Sequence, residues 1–373
     1  MTFFVHPQIK LNKRIFSAFF KSIDLSSLKE SLSFYFPNKQ FIFTDMGRTA
    51  FKLIVEKSKL QNSEIIIPAY ICDVFYPILK QYNIKPVFVD IDLDTFNINT
   101  EQALRLISPK TKAILIPHVY GLFSEIEKFK NRGLIIIEDC AHGFGLKNNN
   151  KFAGNFGDVS FFSLYKQFPA LRGGMLVCPK SWNIDIPATK FSFRDFLSFL
   201  NSFPFFAFLF KSFGSGIAPK IVRKEKNLEA AGINQVSLNL FSQHLKSFEN
   251  SLKDRKKRAL FFQQELKSLG FEVQNSDGNV FCYISGLIPK QLKDKRDSFV
   301  QGLRKEKVFC TRIWHTPIIL NKEIQKEYAI NLNSFPNAIE AAKRIINFPL
   351  QNHYAEKDIK KIIKAVEKTL KKL

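Results

Sequence analysis

The chain has 373 residues, of which 45% are hydrophobic, and a formal net charge of +23 at pH 7. A chain of this length can bury more than one core, so we expect a large domain and a smaller one. The five cysteines are scattered without CxxC spacing. This argues against a disulfide framework or a zinc site, and it suits a reducing compartment.

The basic charge is spread along the chain and is densest near the C-terminus. Within 357–372 apolar residues recur at helical spacing between the lysines, which predicts a helix with a solvated lysine face. No basic motif interleaved with aromatic residues indicates a nucleic-acid surface, so no nucleic-acid partner is expected. The first residues lack the pattern of a secretory signal, and a cytoplasmic location is expected.

Short apolar runs alternate with helical patterns from residue 44 to residue 179. The predicted strands are 64–68, 86–90, 112–118, 134–139, 158–163 and 174–179, and the predicted helices are 46–55, 74–81 and 100–107. This alternation predicts an α/β fold with a mostly parallel sheet covered by helices on both faces. Ligands of such sheets bind beyond the carboxyl ends of the strands, where Asp139 falls.

From Gln235 onward the pattern changes to a long amphipathic helix that contains the charged run 253–258. Beyond residue 269, strands predicted at 271–274 and 279–284 alternate with helices. We therefore predict a large cofactor-binding domain over 1–235 and a smaller α+β domain over 236–373, which begins with the long helix.

Two residues near the middle of the chain have complementary chemistry. Asp139 ends a buried apolar strand, and Lys166 follows 27 residues later (166 − 139) in a segment bounded by glycines. An amine can hold an aldehyde as a Schiff base, and a carboxylate can keep a pyridinium nitrogen protonated. This is the layout of a pyridoxal phosphate site, with both residues as catalytic candidates. The alternatives are a surface lysine and a helix-capping aspartate.

A set of motifs in a fixed order covers nearly the whole chain. They are Gly47-Arg-Thr-Ala-Phe, Ile67-Pro-Ala-Tyr, Pro86-Val-Phe-Val-Asp-Ile-Asp, Thr95-Phe-Asn-Ile, the run 111–121, Ile137-Glu-Asp-Cys-Ala-His-Gly-Phe-Gly, Gly157-Asp and the run 335–350. In these motifs the chain resembles the DegT/StrS-type sugar aminotransferases, a branch of the fold-type-I pyridoxal phosphate enzymes. The resemblance implies transfer of an amino group from an amino acid to a keto sugar linked to a nucleotide. Glutamate is the amino donor that the resemblance suggests.

The resemblance also implies roles for further residues. His142 matches a position near the phenolic oxygen of the cofactor, although a packed core histidine is an alternative. Asn234 would reach the cofactor phosphate of a neighbouring subunit, which implies a homodimer with shared sites. Arg172 and Arg312 are both candidates for binding a substrate carboxylate. No metal site is expected.

The cofactor phosphate needs backbone donors at the start of a helix. Gly47, Arg48 and Thr49 precede an apolar helix and can supply them, with charge and a hydroxyl group in addition. A plain turn and helix start is the alternative. Ser163 fits as a further phosphate ligand, three residues before Lys166.

The chain departs from the family pattern at the position that usually stacks an aromatic side chain on the cofactor ring. Cys72 stands there, with Tyr70 and Phe75 as nearby alternatives. The segment between Asp158 and Lys166 is about two residues shorter than the common form. The arginine that commonly follows the Asn234 position is also absent.

A phenylalanine-rich insertion at 191–213 is the most individual feature of the chain. Charged residues and Pro204 interrupt it, and it is too short to predict a transmembrane helix. The basic stretch 220–226 follows. One hypothesis is a helical hairpin that docks on the inner face of a membrane or gathers a lipid-like substrate. The alternative is that the insertion packs over the dimer interface or covers the active site.

Two other function classes remain open at this stage. A related sugar dehydratase would use the same cofactor without a covalent lysine, and Lys166 argues against it. A non-catalytic or membrane-associated protein on the same scaffold is the other alternative.

Overall fold

The computed structural model describes residues 1–9, 13–213 and 229–373, so the basic stretch 220–226 lies outside the described residues. The strands are β1 (Phe3–Phe4), β2 (Lys39–Thr44), β3 (Glu64–Pro68), β4 (Lys85–Val89), β5 (Thr111–Pro117), β6 (Ile135–Asp139), β7 (Lys147–Asn148), β8 (Lys151–Phe152), β9 (Val159–Ser163), β10 (Gly174–Pro179), β11 (Glu272–Val273), β12 (Ile284–Leu287), β13 (Val308–Phe309) and β14 (Ile345–Phe348). The helices are α1 (Lys13–Phe20), α2 (Leu25–Ser33), α3 (Gly47–Lys57), α4 (Tyr76–Gln81), α5 (Thr100–Arg105), α6 (Phe193–Asn201), α7 (Pro204–Phe213), α8 (Gln235–Leu245), α9 (Phe248–Ser268), α10 (Arg296–Lys305), α11 (Lys322–Glu327), α12 (Pro336–Arg344) and α13 (Glu356–Leu370).

A seven-stranded sheet forms the centre of the fold, in the order β2-β10-β9-β6-β5-β3-β4. Strand β3 is parallel to β4 and β5, and β6 is parallel to β5 and β9. Only β10 runs antiparallel to its neighbours in this sheet, β9 and β2. The predicted α/β fold with a mostly parallel sheet is confirmed.

The apolar runs form strands because both faces of this sheet are covered. In β3, Ile65 and Ile67 pack into one hydrophobic cluster, whereas Ile66 packs into another. Successive side chains of a strand point to opposite faces, so a run with no polar alternation requires a core on each side. Fully burying one such side chain contributes about 1.5–3 kcal/mol.

The predicted boundaries shift where local hydrogen bonds compete with the periodic pattern. The long helix expected from Gln235 is divided into α8 and α9, with a break at 246–247. The strand expected at 279–284 begins only at Ile284. The amides of Val280 and Cys282 instead donate to the carbonyls of Gly121 and Tyr120, at 2.9 and 3.0 Å, so this segment docks on the loop after β5.

The C-terminal part contains a three-stranded antiparallel sheet in the order β11-β12-β14. The N-terminal arm lies against this part of the chain: β1 pairs in parallel with β13. The Phe4 amide donates to the Tyr354 hydroxyl at 2.9 Å, across 350 positions of sequence. The domain boundary at residue 235 stays a prediction.

The phenylalanine-rich insertion folds as the two helices α6 and α7. A capping box begins α6, because Ser192 and Asp195 each bond the other's backbone amide. The Phe19 ring of α1 packs edge-on against Phe199 at 4.9 Å. The exposed large hydrophobic side chains described on α1, α6 and α7 are Phe16, Phe20, Phe193, Phe196, Leu197, Phe205, Phe206 and Phe210. Among the described residues, no helix has both the length and the apolar character needed to cross a bilayer.

Candidate active site

A cavity of about 510 Å³ opens at the carboxyl ends of the parallel strands. This volume is in the range of small-molecule and cofactor sites. Seven of the predicted cofactor residues line it: Gly47, Arg48, Cys72, Asp139, His142, Ser163 and Lys166. Thr49 and Asn234, which were predicted with them, do not line it. Most of the residues that the sequence predicted for the cofactor therefore lie together in one cavity, and their roles stay predictions.

Lys166 lies in a tight turn directly after β9. Ser163 ends the strand, residues 164–166 form one 3₁₀ turn, and the Leu164 amide donates to Gly173 O at 2.9 Å. This short connection projects the lysine into the cavity, where its Nζ lies 3.0 Å from His142 Nε2.

His142 is 2% exposed and has contacts at both ring nitrogens. The Tyr120 amide donates to Nδ1 at 3.2 Å, so the proton of a neutral ring lies on Nε2 and faces Lys166. Burial lowers the pKa of His142 well below its ordinary value, and the charge of Lys166 acts in the same direction. His142 is therefore a neutral imidazole whose Nδ1 accepts from the Tyr120 amide and whose Nε2 lies next to the lysine nitrogen.

Asp139 is 5% exposed and ends strand β6 at the cavity wall. Its Oδ1 accepts a hydrogen bond from the Ala141 amide at 2.9 Å. Burial raises the pKa of Asp139 above its ordinary value, although the charge of Lys166 opposes this effect. A cation bound against Asp139 in the cavity would favour the ionised carboxylate.

The preceding residue, Glu138, points to the other face of the sheet and fixes the backbone there. It accepts bonds from the amides of Gly154 and Phe156, both at 2.7 Å, and lies 3.1 Å from His118 Nε2. Burial raises the pKa of Glu138, but His118 and the amides outweigh burial and the pKa lies below its ordinary value. Because these bonds occupy its oxygens, the buried group of Glu138, His118 and Cys140 is a hydrogen-bond network rather than a free ligand set.

The start of α3 forms one end of the cavity and offers backbone N–H groups to an anion. Strand β10 approaches it so closely that a Cβ on Gly174 would lie 2.5 Å from Gly47 N. Only glycine fits at this point, and this is the physical reason for Gly174. Gly173 has a φ of +130°, a conformation that favours glycine as well. Thr49 has another role in this turn, because its hydroxyl bonds the Asp45 carboxylate and does not face the cavity.

Asn234 also has a local role in this structure. It is 1% exposed, and its Oδ1 caps α8 by accepting from the Ser237 amide at 2.9 Å. The side chain does not line the cavity of its own chain. The cap uses only Oδ1, and the buried Nδ2 has no hydrogen-bond partner among the described residues. Contact of Asn234 with a neighbouring subunit's phosphate stays a prediction.

Cys72 and Phe75 line the cavity at the predicted ring-stacking position, whereas Tyr70 does not. Tyr70 is fully buried and its hydroxyl lies 2.9 Å from the Tyr120 hydroxyl. Burial raises the pKa of the Cys72 thiol, which favours the neutral form of an apolar packing group. Of the three candidates for the side chain that packs on the cofactor ring, only Cys72 and Phe75 line the cavity.

Four residues that the sequence did not single out come from distant segments: His6, Tyr283, Ile313 and Trp314. The Trp314 ring lies 5.3 Å from His142 and stacks on Tyr120 at 5.7 Å. Trp314 and Tyr120 both have left-handed backbones, with φ of +59° and +56°. Strain of this kind costs about 1–3 kcal/mol for each residue and tends to occur at functional sites. No local pattern could have indicated these long-range contacts.

Helix α6 of the insertion contributes Arg194, Asp195 and Ser198 to the cavity wall. The Asp195 carboxylate is 2% exposed and binds Arg172 Nε at 2.8 Å. Arg172 therefore lines the cavity in a fixed position. Arg312, the other carboxylate-binding candidate, pairs with Asp297 at 2.6 Å and does not line it.

A sequence model of the DegT/DnrJ/EryC1/StrS aminotransferase family matches residues 24–367. The chain belongs to this family. GDP-perosamine synthase of Escherichia coli O157:H7 is 36% identical over 123 residues, which cover 31% of the chain and 34% of that protein. The GDP-4-keto-6-deoxy-D-mannose 3-dehydratase of Escherichia coli O55:H7 is 27% identical over 328 residues, 80% of each. The first of these relatives is thus matched over about a third of its length.

Among solved structures, the PLP form of Spr1654 from Streptococcus pneumoniae has a TM-score of 0.78 at 16% identity, over 100% of this chain and 99% of that one. This likeness shows the fold. Enzymes of the family depend on pyridoxal phosphate, so the predictions of an aminotransferase and of this cofactor are confirmed.

The described residues fit the cofactor. The cavity offers an amine at Lys166 and a helix N-terminus with Arg48 for a phosphate. It also offers the buried carboxylate of Asp139, whose pKa is raised by burial and whose ionised form a bound cation would stabilise. These are the groups that an aldehyde, a pyridinium nitrogen and a phosphate require.

Proposed function

We propose that this aminotransferase moves an amino group from glutamate to a keto sugar linked to a nucleotide, with Lys166 and Asp139 as its catalytic residues. The observation that supports it best is the meeting of Lys166, Asp139 and His142 in one cavity, with Lys166 Nζ 3.0 Å from His142 Nε2. The names of the relatives support a sugar acceptor, since they refer to GDP-perosamine and to GDP-4-keto-6-deoxy-D-mannose.

The cofactor, when bound, supplies an electron-accepting ring that stabilises negative charge on the carbon that loses a proton. Lys166 Nζ carries that proton as a general acid and base, and it is positioned for this by His142. Asp139 would keep a cationic ring nitrogen charged. The amides at the start of α3, with Arg48 and Ser163 beside them, would bind the phosphate.

Arg172 binds the donor carboxylate in this proposal. The Asp195 carboxylate forms an ion pair with Nε of Arg172. Among the described residues, no hydrogen bond is seen at the two terminal amino groups of Arg172. These groups can form the planar two-point contact that a carboxylate accepts. Asp195 acts as a positioning residue, because it holds the guanidinium against the cavity without itself binding substrate.

Arg172→Gln should raise the half-saturating glutamate concentration about tenfold or more and leave the maximal rate of amino transfer nearly unchanged, since a lost charge-assisted bond weakens binding. Asp195→Asn should have a smaller effect in the same direction. The measurement is a glutamate titration of the cofactor absorbance in stopped flow. Arg132→Gln, at an exposed arginine, is the matched control. A lower maximal rate with unchanged half-saturation would exclude this role.

The same titration tests the donor on the wild-type protein. Glutamate should convert the visible cofactor band to the amine form of the cofactor and release 2-oxoglutarate in equal amount. Other amino acids tested at the same concentration should convert it more slowly. Conversion by another amino acid but not by glutamate would replace the donor and leave the amino-transfer chemistry intact.

The dehydratase alternative is supported by a relative of that name but not by Lys166, which lines the cavity next to His142. Incubation with a nucleotide-linked 4-keto sugar and glutamate separates the two. An amino sugar is expected, and a deoxy sugar formed without transfer of nitrogen would favour the dehydratase.

The homodimer, the cytoplasmic location and a membrane-surface contact are further proposals. The exposed phenylalanines of α1, α6 and α7 support a surface that contacts a membrane or a second subunit. The α6 residues Arg194, Asp195 and Ser198, which line the cavity, support the alternative that the insertion covers the active site. Flotation with anionic liposomes would distinguish these, because a membrane-bound protein should float and should stop floating after deletion of 191–213. A deletion variant that floats equally well would remove the membrane proposal.

A further inference from the structure

Trp314 lines the active-site cavity but takes no part in the proposed binding of the cofactor or of the donor carboxylate. The side chain is half-buried, so part of its surface stays accessible from the cavity. Cavities that bind small molecules are lined mainly by hydrophobic and aromatic side chains, which supply contact area. Trp314 is therefore available to contact a further part of a substrate.

The backbone of Trp314 is held in a conformation that is unfavourable for a bulky residue. Its φ is +59°, in the left-handed region, and such strain persists only where the surrounding contacts impose it. The preceding residue supplies these contacts. The Ile313 amide donates to Asn347 Oδ1 at 2.7 Å, and the Ile313 carbonyl accepts from the Tyr120 hydroxyl at 2.9 Å. The indole ring is thus fixed from its own backbone.

The segment that carries Trp314 is also fixed at both of its ends. Thr311 exchanges two backbone hydrogen bonds with Asn347 of β14, at 3.0 and 2.8 Å. At the other end, the Ile318 amide donates to Ile71 O at 2.7 Å. A side chain held in this way loses little freedom when a ligand binds, and this favours its use as a rigid contact surface.

Trp314 lies one side chain away from the reacting amine. The His142 ring is 5.3 Å from the Trp314 ring, and His142 Nε2 is 3.0 Å from Lys166 Nζ. In the proposed function, the acceptor carbon that receives the amino group must come close to Lys166 Nζ. The sugar ring that contains this carbon is then within reach of Trp314.

The chemistry of an indole ring suits a sugar better than it suits the amino donor. The face of the ring carries partial negative charge, which attracts the weakly positive C–H groups of a sugar and repels a carboxylate. Glutamate has two carboxylates, which need cationic partners such as Arg172, and it offers only a short apolar chain. A sugar ring offers several C–H groups on one face.

We propose that Trp314 binds the sugar ring of the acceptor by stacking against its C–H face, and that this contact helps to select the acceptor. The inference rests on the proposed function, because it requires a sugar acceptor. It gives Trp314 no part in proton transfer. Loss of the indole ring should therefore weaken acceptor binding and leave the chemistry at Lys166 intact.

The two half-reactions of the holoenzyme test this role separately. With glutamate, Trp314→Leu should keep the half-saturating concentration of the wild type. Starting from the amine form of the cofactor, it should need about five- to tenfold more acceptor, with a maximal rate within about twofold of the wild type. The acceptors are GDP-4-keto-6-deoxy-D-mannose and a UDP-linked 4-keto-6-deoxy sugar.

Two further variants complete the kinetic test. Trp314→Phe keeps an aromatic face of smaller area, so its half-saturating acceptor concentration should fall between those of the wild type and Trp314→Leu. It keeps the test decisive if the leucine variant does not fold. Trp182→Phe is the matched control, because Trp182 follows β10 and does not line the cavity. This control should behave as the wild type.

Fluorescence measures the contact without turnover. The chain contains two tryptophans, so Trp182→Phe leaves Trp314 as the only indole emitter. In the aldehyde form of the holoenzyme, which holds no amino group to transfer, added acceptor should change the Trp314 emission in a saturable way. GDP alone should give a smaller change. Trp314→Phe, in which only Trp182 emits, should not respond.

The possible failures of this inference and of the proposed function are distinct. An unchanged half-saturating acceptor concentration in Trp314→Leu would overturn the inference and leave the proposed function in place. An equal rise for glutamate would do the same, because it would place Trp314 against the cofactor or the donor. So would a Trp314 emission that ignores an acceptor which the enzyme converts. If the wild type accepts neither sugar, the sugar acceptor and this inference fail together.

Discussion

Lys166→Ala should lower amino transfer by about a thousandfold or more and abolish the visible cofactor band of the purified protein. In the proposed function, Lys166 Nζ is both the attachment point for the aldehyde and the group that moves the proton, so one substitution would remove both functions. The lysine lines the cavity and its Nζ contacts His142, so its loss should leave the sheet intact. Absorbance spectra and single-turnover rates measure the two effects.

Lys180→Ala is the matched control, since Lys180 is exposed directly after β10. It should keep both the band and the rate. Added methylamine should restore part of the activity of Lys166→Ala, because a free amine can replace the missing proton carrier. An alanine variant that retains the visible band would show that another lysine holds the cofactor.

Asp139→Asn should slow amino transfer by about a hundredfold or more while the protein still binds the cofactor. The amide keeps the shape of the side chain and can still accept the Ala141 amide bond, but it cannot keep a ring nitrogen charged. The single-turnover rate with glutamate measures the effect, and a pH titration of the cofactor spectrum follows the ring nitrogen.

Asp73→Asn makes the same change of charge at an exposed position next to Cys72 and should leave the rate unaltered. Because burial raises the pKa of Asp139, the apo protein should also respond to pH at this site. Its carboxylate becomes protonated at a higher pH than an ordinary aspartate, and cofactor binding should oppose that protonation. An unchanged rate in Asp139→Asn would remove the residue from the catalytic pair.

The sequence predicted those parts of the site that local patterns encode. Asp139 ends an apolar run and Lys166 lies between two glycine turns, so both could be placed at the carboxyl edge of a parallel sheet. Thr49 was grouped with the cofactor residues because it adds a hydroxyl group at the start of a helix, and Asn234 because the family resemblance implies contact with a neighbouring subunit's phosphate. The same side chains also suit local turns and helix caps, and the structure uses them in that way.

Other parts of the site depend on chain segments that meet only in the folded protein. Trp314, Tyr283 and His6 have neighbours in sequence that do not indicate a cavity wall. Arg172 and Arg312 were equal candidates in the sequence. Only the positions of Asp195 and Asp297 show which arginine lines the cavity.

Residues from both ends of the chain build one cavity wall. Strand β1 pairs with β13, and His6 and Trp314 both line the cavity, which affects the order of folding during synthesis. During synthesis from the N-terminus, the parallel sheet can assemble while the cavity still lacks one side. The wall closes only after residue 314 has left the ribosome, since its parts are joined by contacts of very long sequence separation. Cofactor capture should therefore be a late event, which follows release of nearly the whole chain.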